Sequence, residues 1–508
     1  MGRGCPPAPY YLGGYLLLRE NGLWVEVEAT AEEQRQLRKA LTFRTKDEEV
    51  CLLVERGSTL AFLRGLWEPL VRRNPTLSIP PPPPLAVEAR DETWGLDGVT
   101  PRWFQPEAVA ACLQRRRGIV QLPTGTGKTE IMLALFRCLG VRCLVVVATI
   151  GQMKQMAQRA LDRGFPEVGM WGGGKRVKLA TAPVVVAIAA SLVKGVAEGN
   201  AAELMDIECM VFDEVHHLGT AETWYAIADG MPWIKYRFGF SATPLRNAAD
   251  PWSNPWDVVM QGYTGEIIYT RSREELAEFC PDAQCYFLKP PLLYRAIRYA
   301  NGEINTEWNR LYRDCVVTAD DRNMYLSLLV QSISAWGGRV LVLVQQVRHA
   351  RELLRRFLGT PVTAWLIMGG EKLLALSPRS DVEIAGGARR AAQALADGDC
   401  KCLIGTTAVH EAIDIPGATD IVIAGAGKAP LSVPQRIGRG MRGEKLQLRI
   451  WDIWDTSHPV LTYQSKQRKA IYEQYGVPVS FPPLMPPALA TIAAAQRWVQ
   501  SVGLGLME

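Results

Sequence analysis

Between Gly118 and Ala242, short and almost wholly apolar runs recur at intervals: GIVQL (118–122), CLVVVA (143–148), PVVVAIA (183–189), CMVFDEV (209–215) and YRFGFSA (236–242). A strand wetted on one face alternates apolar and polar residues. A strand apolar throughout must be covered on both faces, which is the condition of a parallel sheet flanked by helices. The longer amphipathic stretches between the runs supply those helices. The rhythm returns in RVLVLVQ (339–345), VTAWLIM (362–368), KCLIGTTA (401–408), DIVIAGA (420–426) and LRIWDIWD (448–455). The fold class is therefore α/β, with two tandem domains built on parallel sheets.

A smaller α+β domain precedes them. YLLLRENGLWVEV (15–27) carries Asn21-Gly22 between two apolar runs, a strong hairpin signal. A helix is expected near Ala31–Leu41, a strand at CLLVER (51–56) and a helix over LAFLRGLWEPLVRR (60–73). The proline run 80–84 then makes a stiff spacer. The expected divisions are 1–92 (accessory), 93–255 (first α/β domain), 256–320 (connector rich in Pro, Trp and Tyr), 321–478 (second α/β domain) and 479–508 (tail). The helix expected at 488–503 would either pack on the body or bind a partner.

At 508 residues the chain is too long for one core. A net charge of +5 permits a nucleic-acid partner without arguing for one. The 11 cysteines lie largely in apolar runs, and neither Cys400/Cys402 nor Cys280/Cys285 has a matching second pair, so a zinc site is not expected. They read as reduced core thiols. No apolar run reaches the roughly 18 residues of a membrane span, and MGRGCPP lacks the order of a signal peptide. A cytoplasmic location without membrane association is the expectation.

Chemistry concentrates in a few segments. QLPTGTGKTE (121–130) follows a strand and opens a helix, the setting of a phosphate loop. Thr124, Gly125, Thr126 and Gly127 would bring backbone amides to phosphate oxygens, Lys128 would reach the β- and γ-phosphates, and Thr129 would ligate Mg²⁺. The strict pattern fails at one position, where Leu122 replaces glycine. In MVFDEVHHLG (210–219) a strand ends in two carboxylates. Asp213 would hold Mg²⁺, and Glu214 would act as general base toward water. His216 and His217 read either as metal ligands or, for His216, as a link to the neighbouring strand. Ser241 and Thr243 in FSATPLR (240–246) follow another strand end and also suit a plain turn. In the second domain, Asp414 of GTTAVHEAIDIP (405–416) lies near the domain edge. QRIGRGMRG (435–443) gathers Arg436, Arg439 and Arg442 at three-residue spacing, along one helix face. That is either a solvated basic face or a cluster awaiting an anion. A triphosphate held by the first domain would be such an anion, met by Arg439 and Arg442, and fingers of this kind are worth roughly 10³–10⁵ in rate.

Over residues 100–460 the ordered set LPTGTGKT, DEVH, SAT, GTTAVHEAIDIP and QRIGRGMR resembles a superfamily 2 helicase or translocase. The resemblance implies two RecA-like P-loop domains, ATP and Mg²⁺ as cofactors, and DNA (duplex or branched) or RNA as partner. It implies that Gln105 in RWFQPEAV (102–109) reads adenine and that Thr149, Ser191 and Thr407 touch the nucleic-acid backbone. It further implies that Ser241, Thr243 and His216 couple hydrolysis to movement, and that Gln435 sits near the γ-phosphate. Ala148 stands where the family has proline, and Ala412 where it has glycine. The DEVH box and the leading Gln435 argue against the DEAD-box RNA helicases, and the compact two-domain engine with a small N-terminal α+β domain looks like the UvsW-type enzymes near RecG, XPB and restriction-motor subunits, whose members track along duplex DNA and remodel branched structures. Alternative readings are the motor subunit of a nuclease complex, an RNA helicase and an ATP-switched clamp. A nuclease or a replication or recombination factor is a candidate protein partner. The N-terminal domain, with Trp24, would either help recognise a fork or pack on the motor.

Overall fold

The computed structural model describes residues 23–28, 31–45, 49–56, 59–75, 94–199, 202–219, 221–280, 283–290, 307–368, 373–376, 381–384, 387–406, 417–427, 448–474 and 477–482. Thr407, Asp414, Gln435, Arg439 and Arg442 lie outside these residues, as do Ala412, the Asn21-Gly22 turn, the proline run and the helix expected at 488–503. The chain divides into two compact units: residues 1–123 with 127–272 form the first, and residues 273–508, with which 124–126 are grouped, form the second.

The first unit is built on an eight-stranded sheet in the order Ile267–Thr270, Arg117–Gln121, Tyr236–Ser241, Cys209–Asp213, Cys143–Val147, Val184–Ile188, Val168–Gly172, Lys175–Val177. All neighbours pair in parallel except the last two. The central strands are apolar because helices cover both faces: Val145, Val186, Val211 and Phe238 are all fully buried. Arg237 is the buried exception. Its guanidinium donates to the carbonyls of Ala228 (3.3 Å), Met231 (2.6 Å) and Ile234 (3.3 Å), closing the end of helix Glu222–Gly230.

The N-terminal residues form a three-stranded antiparallel sheet, Trp24–Glu28, Thr59–Leu63 and Leu53–Arg56, with helix Ala31–Leu41. The helix expected over 60–73 begins as a strand instead: Thr59–Leu63 is extended and helix Trp67–Arg73 follows a short 3₁₀ turn. Leu60, Ala61, Phe62 and Leu63 are all buried in the central strand. An apolar run covered on both sides carries no period that separates strand from helix. This layer packs on helix Pro255–Thr264 through interlocked glycines. A Cβ on Gly65 would lie 2.1 Å from the Gln261 carbonyl, and one on Gly262 would lie 2.6 Å from Leu63. Arg72–Glu266 and Arg73–Asp250 ion pairs rim the contact.

The second unit has a nine-stranded sheet in the order Asp381–Ile384, Leu373–Leu376, Ala364–Ile367, Cys402–Thr406, Val340–Val344, Asp420–Ile423, Leu448–Ile453, Ala283–Leu288, Val479–Ser480. Seven strands run parallel, and Leu373–Leu376 and Asp381–Ile384 extend one edge antiparallel. Residues 256–320, expected as a connector, instead feed both sheets, Ile267–Thr270 the first and Ala283–Leu288 the second. Their signal is weak because Ile267–Thr270 is a four-residue edge strand and polar Gln284 interrupts the other.

The glycine interlock yields a prediction. Gly65→Ala should cost about 1–3 kcal/mol, because the new methyl meets backbone rather than a yielding side chain. Urea unfolding of the full chain checks it, and a change within error of zero would refute the packing.

Candidate functional site

Parallel register sends seven of the eight strands of the first sheet out at one edge. Gln121 pairs with Ser241, Phe240 with Asp213, Phe212 with Val146, and Val147 with Ile188. The phosphate loop, Glu214, Thr243, Thr149 and Ser191 therefore all follow strand ends on the same side, where ligands of open α/β sheets bind.

The phosphate loop leads into helix Lys128–Leu139. Gly125 (φ 87°) and Gly127 (φ 84°) adopt the left-handed conformation that side chains resist. Gly127 is tightly packed as well, since a Cβ there would stand 2.6 Å from Gln105 Nε2. Gln105 thus lies against the loop, buried, with its Oε1 accepting from the Arg102 amide at 2.9 Å. Lys128 Nζ donates to the carbonyls of Leu122 (3.1 Å) and Pro123 (3.3 Å), curled over its own loop. Thr129 occupies the first turn of the helix.

Asp213 ends its strand and Glu214 follows with φ 60°. A left-handed glutamate costs on the order of 1 kcal/mol and persists only where its surroundings fix it. Here they do. Ser241 Oγ donates to Glu214 Oε2 at 3.3 Å, the Thr243 amide donates to Ser241 Oγ at 3.2 Å, and His216 Nδ1 lies 3.1 Å from the same oxygen. A hydroxyl has one proton, and Ser241 gives it to Glu214. His216 Nδ1–H is therefore the donor in its contact. The result is a directed chain, His216 to Ser241 to Glu214, that aims a buried carboxylate. Burial holds the His216 pKa down against the pull of Glu214, with Lys128 and Arg246 adding to the lowering, so the ring is neutral near pH 7.

Three supporting groups complete the site, of which only the capping box Thr149-x-x-Gln152 has a signature in the sequence. His217 stacks between His216 (4.4 Å) and Trp224 (5.1 Å), forming a column of rings from the core to the site. Asp257, buried, accepts from the amides of Arg246 (2.9 Å) and Asn247 (2.9 Å) and fixes the segment leaving Thr243. Gln152 completes a capping box with Thr149: the Gln152 amide donates to Thr149 Oγ1 (3.3 Å), and the Thr149 amide donates to Gln152 Oε1 (3.1 Å). Thr149 so caps helix Ile150–Asp162, and Ser191 sits in the first turn of helix Ala189–Ala197. Among the described residues no cluster of three or more His, Cys, Asp or Glu could hold a metal, so the metal reading of His216 and His217 has no partners there. No disulfide joins the described cysteines, most of which are buried.

Comparison with known proteins matches the chain to two family profiles. Residues 98–246 match the type III restriction enzyme res subunit, and residues 324–444 match the helicase conserved C-terminal domain. The chain is an ATP-hydrolysing superfamily 2 helicase of the UvsW/XPB type. Similar curated proteins are the DNA 3'-5' translocase XPB2 of Sulfurisphaera tokodaii (26% identical, covering 70% of this chain and 82% of that one) and the ATP-dependent DNA helicase uvsW of Enterobacteria phage T4 (25% identical, covering 74% and 73%). Among solved structures, Saccharomyces cerevisiae Dbp5 bound to RNA and ADP BeF3 has a TM-score of 0.50 at 14% identity, covering 75% of this chain and 90% of that one, a likeness of fold. In this helicase both sheets are RecA-like, and no helix among the described residues is long and apolar enough to cross a membrane.

The ring column of the helicase sets an acid limit. Burial pushes His217 down to about 4 from an ordinary 6.5. The unfolded chain takes up this proton first as pH falls, so stability is full above pH 6.5 and declines between 6.5 and 4, by about 3 kcal/mol for this group. His217→Phe keeps the stack and removes the proton site. Its unfolding free energy should fall less between pH 7 and 5 than the parent's, as read by urea titration at each pH.

Proposed function

We propose that this chain is a DNA translocase or helicase that remodels branched DNA, powered by ATP hydrolysis. The observation that carries the proposal is the left-handed Glu214 held by Ser241 and His216 on the edge that also bears the phosphate loop. In this reading the amides of Thr124–Gly127 and the ammonium of Lys128 bind the triphosphate, and Gln105 reads the adenine edge. The Thr129 hydroxyl and the Asp213 carboxylate are a hard-oxygen pair suited to Mg²⁺. When bound, Mg²⁺ supplies neutralisation of phosphate charge. Glu214 takes the proton of the attacking water, and the Ser241 hydrogen bond orients its carboxylate for that task. Gln435, Arg439 and Arg442 are proposed at the γ-phosphate, with Asp414 on the same nucleotide.

Nucleic acid is proposed to lie along Thr149, Ser191 and Thr407, gripped through phosphates. The hydrogen bonds that join His216, Thr243 and Glu214 through the Ser241 hydroxyl are proposed to pass the state of the nucleotide to that surface. DNA is favoured because both similar curated proteins are named for DNA. The N-terminal layer, locked to helix Pro255–Thr264, is proposed to face a fork or junction. A second reading, the motor subunit of a nuclease complex, draws on the restriction-subunit profile over residues 98–246, and leaves cutting to a partner protein.

Steady-state ATP hydrolysis at fixed salt tests the proposal. Duplex or four-way-junction DNA should raise the rate well above that with single-stranded RNA or no nucleic acid. Glu214→Gln should lose roughly 10²–10⁴-fold. Stimulation by RNA alone would overturn the DNA assignment, and co-purification of a nuclease would favour the second reading.

A further inference from the structure

Among the described residues, two fully buried Arg–Asp pairs of the second unit are charges for which the proposed chemistry has no use. Arg322, Asp452, Asp455 and Arg468 are each 0–1% exposed. Arg468, on helix Pro459–Gln474, holds Asp452 through Nε–Oδ2 (2.9 Å) and Nη2–Oδ1 (3.0 Å), and Tyr472 donates to Asp452 Oδ2 at 3.0 Å. Arg322, on helix Asp320–Ala335, pairs with Asp455, which also accepts from the Ser457 amide and hydroxyl. Buried pairs of this kind commonly give no net stability over an apolar filling, so their retention calls for a geometric reason.

The reason lies in what each guanidinium does with its remaining protons. Arg322 Nη2 donates to the Ala424 carbonyl at 3.1 Å, and Arg468 Nη1 donates to the Gly427 carbonyl at 3.2 Å. Both thus grip one four-residue segment, Ala424–Gly427, where the chain leaves strand Asp420–Ile423. Its other side is fixed too. The amides of Ala424 and Gly425 both donate to the Leu343 carbonyl (2.9 and 3.0 Å), and a Cβ on Gly427 would lie 2.0 Å from Gln345 Nε2. Gly427 leads directly into the segment that bears Gln435, Arg439 and Arg442.

We infer that Arg322 and Arg468 are positioning residues for hydrolysis: by clamping the carbonyls of Ala424 and Gly427 they set where the chain enters the arginine segment. The inference rests on the proposed role of Arg439 and Arg442. A rigid guanidinium fork can hold a carboxylate and a carbonyl at once, whereas a lysine ammonium is a single point of charge.

Arg468→Lys keeps the buried charge for Asp452 and gives up the grip on Gly427. The full chain with this change should melt near the parent temperature and keep KM for ATP within about twofold, while kcat falls about tenfold. Binding of ADP with aluminium fluoride, which mimics the phosphate in flight, should weaken by a similar factor relative to ADP alone. An unchanged kcat, or a joint loss of kcat, KM and cooperative melting, overturns the inference. Gln345→Ala loosens the same segment from its exposed side without touching a buried charge, and should lower kcat about threefold; if Arg468→Lys fails to fold, parent-level turnover in this variant overturns the inference. Arg439→Ala separates the two layers. Parent-level kcat in Arg439→Ala removes the role of the arginine segment and the clamp with it. A collapsed Arg439→Ala beside an intact Arg468→Lys removes the clamp alone.

Discussion

Parallel pairing of strands buried on both faces is the constraint from which the rest follows. It forces the apolar runs in the sequence, and it sends the exits of the parallel strands to one edge. Residues separated by more than a hundred positions, such as Gln121 and Ser241, are thereby neighbours in register. No side chain has to travel far to join the site. Each begins at the end of a strand whose place is fixed by backbone hydrogen bonds and by a dry core.

Precision at that edge comes from small polar contacts rather than from a large cluster. The phosphate loop, the strained glutamate and the segment after Ser241 are each held by a neighbour: Gln105 behind Gly127, Ser241 beneath Glu214, Asp257 under Arg246 and Asn247. A general base works through the direction of its lone pairs, so a carboxylate free to rotate would lose much of its effect. The left-handed backbone at Glu214 then becomes intelligible. It turns the chain sharply at the strand end, and a directed hydrogen-bond chain keeps the side chain from relaxing.

Most of this was legible in the sequence where chemistry and periodicity coincide. All ten apolar runs became strands, and Gln105, Lys128, Glu214, His216, Ser241 and Thr243 sit together in the first unit. Reading failed where burial erased the period. Residues 60–63 read as helix because both faces of their strand are covered, and Ile267–Thr270 reads as connector because an edge strand of four residues leaves little pattern. The ring stack of His217 on Trp224 and the Asp257 brace could not be read at all, since each depends on residues that only the fold brings together.

The two units treat buried charge in opposite ways, and the contrast has a physical logic. In the first, Glu214 meets a neutral hydroxyl and a neutral imidazole, so its charge is oriented but not cancelled. In the second, Asp452 and Asp455 meet full guanidinium charges and further donors, so they are satisfied and inert. A carboxylate that must react is given weak partners, and one that must hold a backbone in place is given strong ones. By that criterion Arg322 and Arg468 suit the framework proposed to direct the arginine segment, and Glu214 suits the proposed chemistry.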